Sequence, residues 1–332
     1  MFKRIVALLI CFCFISEQTG FAQMAPPVGM PAYLSGLPRG TDVFRPVQLR
    51  SIEFDPANDN VRLILDKGDA RSLPRSRLEA DSRILFRYFQ TGLALPNSMI
   101  WVNLRPDSPG TVIDPYLENT DLGRVLLEAD LQLKKDLARF TNPDTAEGRQ
   151  YWDKLYAKAE QVFGSEDIEI PTITRPWIVP GEIIVRASDK GAFIYKATLK
   201  VMLEQDYLKD APSIATRDPR QKELNSYSSQ LIRELIIPKI TRDVNSSKRY
   251  AALRQVYYSL VLAQWYKQKQ PAAAQFDSKD LSGLTSRAAW SKDTYYQAYR
   301  RSFQAGEYNK QERARTAGGV TIRQYFSGGI VI

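Results

Sequence analysis

The stretch TDLGRVLLEADLQLKKDLARF, Thr120 to Phe140, carries an apolar residue at every third or fourth position. Its apolar positions are Leu122, Val125, Leu126, Ala129, Leu133, Leu137 and Phe140. This spacing is typical of a helix that buries one face in a core. Thr120 or Asp121 can cap its first turn. The stretch therefore predicts an amphipathic helix that packs at the centre of the fold.

Acidic residues within this helix raise the question of catalysis. Glu128 and Asp130 are two positions apart, so on a helix their side chains diverge by about 200° and cannot flank one scissile bond. Arg124 lies four residues before Glu128, and Lys134 lies four after Asp130, which is the spacing of helical ion pairs. We therefore interpret both acids as members of surface pairs. Asp136 falls beside the apolar stripe, where we expect partial burial.

The first 23 residues, MFKRIVALLICFCFISEQTGFAQ, have the pattern of a secretory signal peptide. Lys3 and Arg4 precede an apolar run, Ile5 to Ile15, that is too short to span a bilayer core of about 30 Å. Ala22 closes a small-residue motif that a signal peptidase can cleave. We predict a signal peptide at 1–22 and an exported protein in the periplasm, outer envelope or extracellular space.

The chain after the signal peptide has two predicted parts. Residues 23–46 are rich in Pro and Gly and are expected to form a flexible leader. Residues 47–332 are expected to form a single composite domain. No apolar run long enough to span a membrane follows the signal peptide, so no transmembrane segment is expected after cleavage.

Missing residue types exclude several chemistries. Cys11 and Cys13 both fall in the predicted signal peptide, and the chain has no histidine. A mature chain without cysteine and histidine lacks the ligands for thiolate or imidazole metal sites and the residues for Ser-His-Asp or Cys-His catalysis. Nucleotide-binding glycine loops and the H-E-x-x-H motif are also missing from the sequence. We expect no cofactor and no metal, so any catalysis would depend on carboxylates, a Ser-Lys pair, tyrosine or an oxygen-ligated metal.

Two hairpins are predicted from strand-like runs. The first joins 47–54 to 61–66 through the turn formers of DPANDN. The second joins 181–187 to 193–203 through SDKG. In its second arm an apolar face is predicted from residues that alternate with polar ones, namely Phe193, Tyr195, Ala197, Leu199, Val201 and Leu203.

Helical periodicity dominates the rest of the chain, and it becomes strongest after Lys222. Pro238 is expected to kink or split the helix that contains it. Further helices are predicted at 76–92, 145–164, 248–270 and 291–308, with short strands at 99–104 and on either side of Ser327-Gly328-Gly329. These elements together indicate an α+β fold of mixed helices and antiparallel hairpins, with a largely helical C-terminal half.

Positive charge is concentrated toward the C-terminus. The whole chain carries a net charge of +9, and residues 201–332 hold 21 Lys and Arg against 12 Asp and Glu. This third also contains 11 of the 17 tyrosines. Most of them fall on helical apolar faces and are expected to pack in the core. The alternative is a binding face for an anionic polymer, formed by Lys248, Arg249, Arg254, Tyr258, Tyr266, Lys267, Arg300 and Arg301.

A carboxylate-dependent hydrolase would need two acids about 5 to 9.5 Å apart in a cleft. The candidates for such a pair are Glu128, Asp130, Glu204 and Asp206. A chain of this size always contains several acids, so the sequence does not single out a pair among them.

Several blocks of the sequence resemble a family of exported bacterial proteins of unknown function. The blocks are WVNLRP, TDLGRVLLEADLQLKKD, YWDKLYAKA, WIVP, LKVMLEQDYL, LIRELIIPKI, RQVYYSLVLAQWYK and YFSGG. The similarity covers most of residues 99–329. It implies one continuous unit in a bacterial envelope setting, and it implies no activity, ligand or catalytic residue.

The sequence therefore favours a non-catalytic envelope or secreted protein with a binding or assembly role. Its expected partners are other envelope proteins or an anionic polymer, and no nucleic acid is expected because the protein is exported. The alternatives are a carboxylate-dependent hydrolase acting on an envelope glycan, and a binding module for an acidic polymer.

Overall fold

The fold contains two small β-sheets and a set of helices that pack against them. The computed structural model describes residues 43–55, 60–70, 72–95, 117, 119–164, 168–188, 190–208, 218–269, 292–306, 309–315 and 320–327. The strands are β1 (Gln48–Asp55), β2 (Asn60–Asp66), β3 (Ile168–Thr174), β4 (Pro176–Ala187), β5 (Gly191–Leu203), β6 (Asn309–Arg315) and β7 (Val320–Ser327). The helices are α1 (Arg75–Ala94), α2 (Asp121–Phe140), α3 (Ala146–Phe163), α4 (Glu204–Leu208), α5 (Pro219–Leu231), α6 (Ile237–Ser246), α7 (Ala251–Lys269) and α8 (Lys292–Gln304).

The larger sheet has the strand order β2-β1-β5-β4, and all of its neighbours are antiparallel. The smaller sheet has the order β3-β7-β6, in which β3 runs parallel to β7 and β6 runs antiparallel to it. Both predicted hairpins are present, as β1–β2 and β4–β5. The prediction of an α+β fold is confirmed.

The helix predicted from the opening stretch is present as α2. The Thr120 side chain accepts a hydrogen bond from the Gly123 amide at 3.0 Å, which makes Thr120 the N-cap. The inward stripe is buried from Leu122 to Leu137, with Leu133 only 1% exposed, and Phe140 at its end is partly buried. Helix α2 contacts α7, α8 and strands of both sheets, which is the central position that its apolar face predicts.

Helix α7 is buried on almost all sides in its first three turns. Its buried residues run from Leu253 to Ala263 with a single interruption at Gln255. The helix packs against α1, β1 and β5. A helix that is apolar around most of its circumference belongs in the interior of a domain. Among the described residues, no helix is long and apolar enough to cross a membrane.

The helical stretch from Pro219 to Ser246 is interrupted next to Pro238, as predicted. Residues Ile232–Ile236 form a π-helical turn between α5 and α6. Proline has no amide hydrogen, and its ring clashes with the carbonyl four residues earlier in a regular α-helix. The wider turn accommodates Pro238 without ending the helix.

The predicted apolar face of β5 is only partly present. Leu199, Val201 and Leu203 are buried, whereas Phe193 and Tyr195 are exposed, and Ala192 and Ile194 are buried in their place. The β4–β5 register shifts between Ile184 and Val185, where β5 contains one extra residue. Because side chains alternate with a period of two, one extra residue moves the following side chains to the opposite face.

The segment 43–46 contacts the folded part of the chain. Residues 43–46 were expected to belong to the flexible leader, but Val43 bridges to Ser247 and the Phe44 amide donates to the Ser246 carbonyl at 2.7 Å. Arg45 forms an ion pair with Asp69 at 3.0 Å. The contacts of Val43 and Phe44 hold this segment against the end of α6. The sequence of the segment has no strand periodicity that could have predicted them.

Strand β6 was not predicted, since its sequence NKQERAR has no apolar alternation. The helix predicted at 291–308 is α8, and Gly306 follows it with a φ of +73°, a conformation that glycine adopts without strain. The predicted strand at 99–104 and the last five residues, 328–332, lie outside the described residues.

Candidate functional site

The two candidate acids on α2 are both engaged by the cations that the sequence spacing predicts. Glu128 pairs with Arg124 at 3.0 Å on the surface. Asp130 pairs with Lys134, and Tyr295 of α8 also donates to Asp130. This second pair is buried, with Asp130 7% and Lys134 2% exposed, so our interpretation of it as a surface pair was wrong. Helix α8 covers it, which the local pattern on α2 could not indicate.

The other two candidate acids lie on α4, directly after β5. Glu204 is buried and pairs at 3.5 Å with Arg175, the residue that immediately precedes β4. Asp206 accepts two hydrogen bonds of 2.8 Å from Arg233 in the π-helical turn. A bidentate arginine–carboxylate pair is a strong and directional contact. These two acids connect α4 to the larger sheet and to the π-helical turn.

All four candidate carboxylates are therefore held by a lysine or an arginine. A hydrolase needs one acid that can donate a proton and one that can attack or activate water. Each of the four already has a cation as its contact partner, and two of them, Asp130 and Glu204, are buried. The arrangement of these four residues supports structural roles for them.

The most elaborate polar cluster of the described residues was missed by the sequence reasoning, apart from the position of Asp136. Asp136 is fully buried and accepts hydrogen bonds from Tyr250 at 2.9 Å and from Gln132 at 3.0 Å. Arg249 contacts Asp136 at 3.0 Å and Asp243 at 2.8 Å. Arg139 also reaches Asp243, at 3.3 Å. The cluster joins α2, α6 and the turn before α7.

Electrostatics in this cluster are dominated by burial. Burial raises the pKa of Asp136 above its ordinary value, while Arg249, the hydrogen bond from Tyr250 and Arg139 act in the opposite direction. Burial, together with the neighbouring Asp136, raises the pKa of Tyr250 well above its ordinary value, so Tyr250 stays a hydrogen-bond donor. Gln132 and Arg139 lie within one helical turn of Asp136, but Arg249 and Tyr250 are more than one hundred residues away in sequence, and no local spacing pattern could have indicated those two.

The predicted basic face of the C-terminal third is not assembled on one surface. Arg254 is buried, and it donates to the carbonyl oxygens of Val244, Ser247 and Phe44 at 2.8, 2.9 and 2.6 Å. Burial lowers the pKa of Arg254 to about 10. Tyr258 is 7% exposed, and the Arg50 guanidinium lies 5.1 Å from its ring centre. Their burial removes Arg254 and Tyr258 from any exposed binding face.

The remaining members of the predicted face have separate surroundings. Arg249 belongs to the buried cluster described above. Lys267 donates to the Leu95 carbonyl at the end of α1, and Tyr266 packs edge-on against Phe89. Lys248 lies 5.9 Å from the Phe44 ring centre. Arg300 and Arg301 are exposed on α8.

A different exposed surface stands out on the larger sheet. Directly paired residues of antiparallel strands lie on the same face, and one such row runs Ile64–Ser51–Phe193–Arg186 across all four strands. Ile64 is 41% and Phe193 39% exposed, whereas Ser51 between them is buried. Ile184 and Tyr195 are exposed nearby, at 42% and 73%. This face was not predicted, because the pattern of β5 indicated burial for Phe193 and Tyr195.

The same hairpin also carries cations, of which Arg186 pairs with Phe193 and Lys196 with Ile184 across the strands. Exposed cations of the β4–β5 hairpin are Arg186, Lys190, Lys196 and Lys200. Lys196 pairs with Glu182 at 2.5 Å. Arg186, Lys190 and Lys200 form no ion pair with any described residue. We call the surface made by Ile64, Ile184, Arg186, Lys190, Phe193, Tyr195, Lys196 and Lys200 the hairpin face.

The hairpin face rests on a well-braced support. Strands β1 and β5 pair only from Ser51 to Glu53, and the Arg50 guanidinium bridges the point where they separate by donating to the Ile194 and Tyr195 carbonyls at 3.2 and 3.3 Å. Gly191 is needed where the strands meet, since a side chain there would lie 2.5 Å from the Ile52 carbonyl oxygen. These contacts fix the backbone that presents Phe193 and Tyr195 to solvent.

No protein-family model, curated protein or solved structure matches this chain. The family resemblance of its sequence blocks therefore stays a prediction.

Proposed function

We propose that this is an exported, non-catalytic protein of the bacterial envelope or its surroundings, with a binding or assembly role. The single observation that carries the proposal is the hairpin face, where Ile64, Ile184, Phe193 and Tyr195 are exposed on a braced sheet. Exposed apolar groups that lie together, with polar groups around them, mark contact surfaces of soluble domains. A contact surface on a rigid support loses little conformational entropy on binding.

The state of the candidate acids supports a binding role over hydrolysis. Glu128, Asp130, Glu204 and Asp206 are each committed to a cation, and two of them are buried. Among the described residues, no group of three or more acids lies together in a way that could hold a metal ion. Export is supported by the order of basic residues, apolar run and small residues before Gln23.

The experiment that tests the proposal places a photoreactive phenylalanine analogue at Tyr195 in producing cells. Tyr207 is a matched control position, because it is 49% exposed and lies just after β5, at the other end of that strand from the hairpin turn. We expect irradiation to yield adducts from position 195 and few from position 207. Equal or absent adducts from the two positions would overturn the binding role of the hairpin face.

A further inference from the structure

We infer that the hairpin face binds the surface of an anionic lipid bilayer, an inference that rests on the proposed binding function and names its partner. The face combines two features that act together at such a surface. Apolar side chains enter the boundary between headgroups and acyl chains, and cations attract anionic headgroups.

The apolar part has the composition that bilayer interfaces favour. Tyr195 is the most exposed aromatic side chain of the face, and its ring joins an apolar body to a polar hydroxyl. Aromatic side chains with one polar end are enriched at the level of lipid headgroups. Phe193, Ile184 and Ile64 add smaller exposed apolar groups around it.

The cations of the hairpin face favour a partner with negative charge. Residues 182–200 contain four cations and two acids, and Arg186, Lys190 and Lys200 form no ion pair with described residues. Each cation close to an anionic bilayer strengthens binding about fivefold. Face-to-face association of two copies would bring like charges together, which disfavours a second copy of this chain as the occupant.

The test measures binding of the purified full chain to vesicles. One set contains equal parts of phosphatidylglycerol and phosphatidylcholine, and the other contains phosphatidylcholine alone. A charge variant combines Arg186→Gln, Lys190→Gln and Lys200→Gln. Its matched control combines Arg83→Gln, Lys154→Gln and Lys222→Gln, which removes the same charge from exposed positions on three helices. All variants keep residues 1–42, so they differ from the wild type only at the replaced positions.

We expect the wild-type chain to bind the anionic vesicles much more strongly than the neutral ones. The hairpin charge variant should lose at least tenfold in partition coefficient, whereas the control variant should lose less than threefold. The double variant Phe193→Ser, Tyr195→Ser should also lose at least tenfold, and Tyr207→Ser should change binding little. Circular dichroism and thermal melting should show that all variants are folded, because every replaced side chain is exposed.

Two results would overturn the inference in different ways. Equal losses in the hairpin and control charge variants would show attraction by net charge alone, without a role for the hairpin face. If there were no vesicle binding but the position-195 cross-linker formed a specific adduct with a protein, the partner would be a protein and the proposed binding function would stand. The absence of both vesicle binding and adducts would reject the proposed function as well.

Discussion

At the scale of single residues, Arg254 shows how this fold uses a buried charge. All three of its hydrogen bonds go to main-chain carbonyl oxygens, two at the end of α6 and one at Phe44. The end of a helix carries unsatisfied carbonyl groups and a partial negative charge, which a cation stabilises. Arg254 therefore closes α6 and fastens the first described residues of the chain to it.

Replacing Arg254 by leucine should lower the free energy of unfolding by about 3 kcal/mol or more, because three carbonyl acceptors would lose their donor. Arg254→Lys keeps the charge but not the planar arrangement of donors, so it should recover only part of the loss. Urea denaturation measures both. Arg300→Leu is the control on an exposed helix position, and it should change stability by about 0.5 kcal/mol or less. Equal effects at 254 and 300 would contradict the role of Arg254.

Asp136 provides a pH-dependent prediction. Its folded-state pKa is raised above the ordinary 3.8, chiefly by burial. The folded protein therefore takes up this proton at a higher pH than the unfolded chain, and stability from this group is gained as pH falls through the raised pKa toward 3.8. Asp136→Asn cannot titrate, so the wild type should gain stability relative to the variant over that window.

Chemical denaturation of both proteins between neutral pH and pH 4 would follow this difference. A loss of wild-type stability relative to Asp136→Asn as the pH falls would show that the contacts from Arg249 and Tyr250 outweigh burial and depress the pKa of Asp136. Asp243→Asn would then be informative, because Arg249 bridges the two acids.

Residue-level predictions succeeded where the partners are close in sequence. Arg124–Glu128 and Asp130–Lys134 follow from helical spacing alone. The partners Tyr295, Arg249 and Asp243 come from other elements, and their approach depends on how helices pack. The exposure of Phe193 and Tyr195 depends on one extra residue in β5, for which alternating hydrophobicity contains no signal.

At the scale of elements, the most unusual contact is between α6 and the open edge of β5. The Asn245 side chain accepts from the Leu199 amide at 2.9 Å and donates to the Leu199 carbonyl at 2.7 Å. Thr241 accepts from the Val201 amide at 3.3 Å. Beyond its short pairing with β1, strand β5 is thus completed by side chains of a helix, which protects an edge that could otherwise pair with another chain.

Replacing Asn245 by leucine should lower the free energy of unfolding by about 2 to 4 kcal/mol, because the amide and the carbonyl of Leu199 would be left without partners. Hydrogen exchange should accelerate at the Leu199 amide more than at β4 amides. Ser246→Ala removes only a local helix contact and serves as the control. Normal protection of Leu199 in the leucine variant would show that the Asn245 side chain does not complete the strand.

Elements whose sequences have strong hydrophobic periodicity could be predicted, and elements that depend on pairing with a distant strand could not. Helix α2 and helix α7 carry patterns that match most of their burial, and both hairpins form where their strand-like runs predict them, although the first part of β5 buries the opposite face. Strand β6 pairs with β7 although its sequence is mostly charged, so its partner and not its own composition determines its structure. Charged residues on such an edge strand also discourage association with other sheets.

At the scale of the whole molecule, contacts join segments that are distant in sequence. Strand β1 pairs with β5, β3 pairs with β7, and Arg254 binds Phe44. Closing such long loops costs entropy before the contacts are formed, which predicts slow folding.

The proposed export makes a direct prediction about the N-terminus of the mature chain. Protein recovered from producing cells should begin at or near Gln23, because the basic residues, the apolar run and Ala22 together form a cleavage signal. Intact-mass spectrometry measures the N-terminus. Replacing Ala22 with a bulky residue should block cleavage, and an unmodified chain that keeps Met1 would contradict export by this route.

The C-terminal residues Ile330, Val331 and Ile332 provide the last prediction. Strand β7 ends at Ser327 and lies between β3 and β6, so the chain leaves the centre of the smaller sheet just before these residues. An unpaired apolar run is an association hazard, which leaves two explanations for it. The sequence favours pairing beside VTIRQY, but β3 and β6 already pair with both sides of that stretch, so internal pairing would have to use another strand edge. The alternative is addition to the sheet edge of a partner.

Deleting Ile330 to Ile332 separates these explanations. Internal pairing predicts a loss of about 2 kcal/mol, which lowers Tm by roughly 3 °C in a chain of this size. Strand addition predicts unchanged melting together with loss of oligomers or of a bound partner. A longer deletion from Val320 is the control, because it removes the strand that joins β3 to β6 and must destabilise the fold. If the short deletion changed neither melting nor association, both explanations would fail, and the apolar end would have no role in the sheet or in assembly.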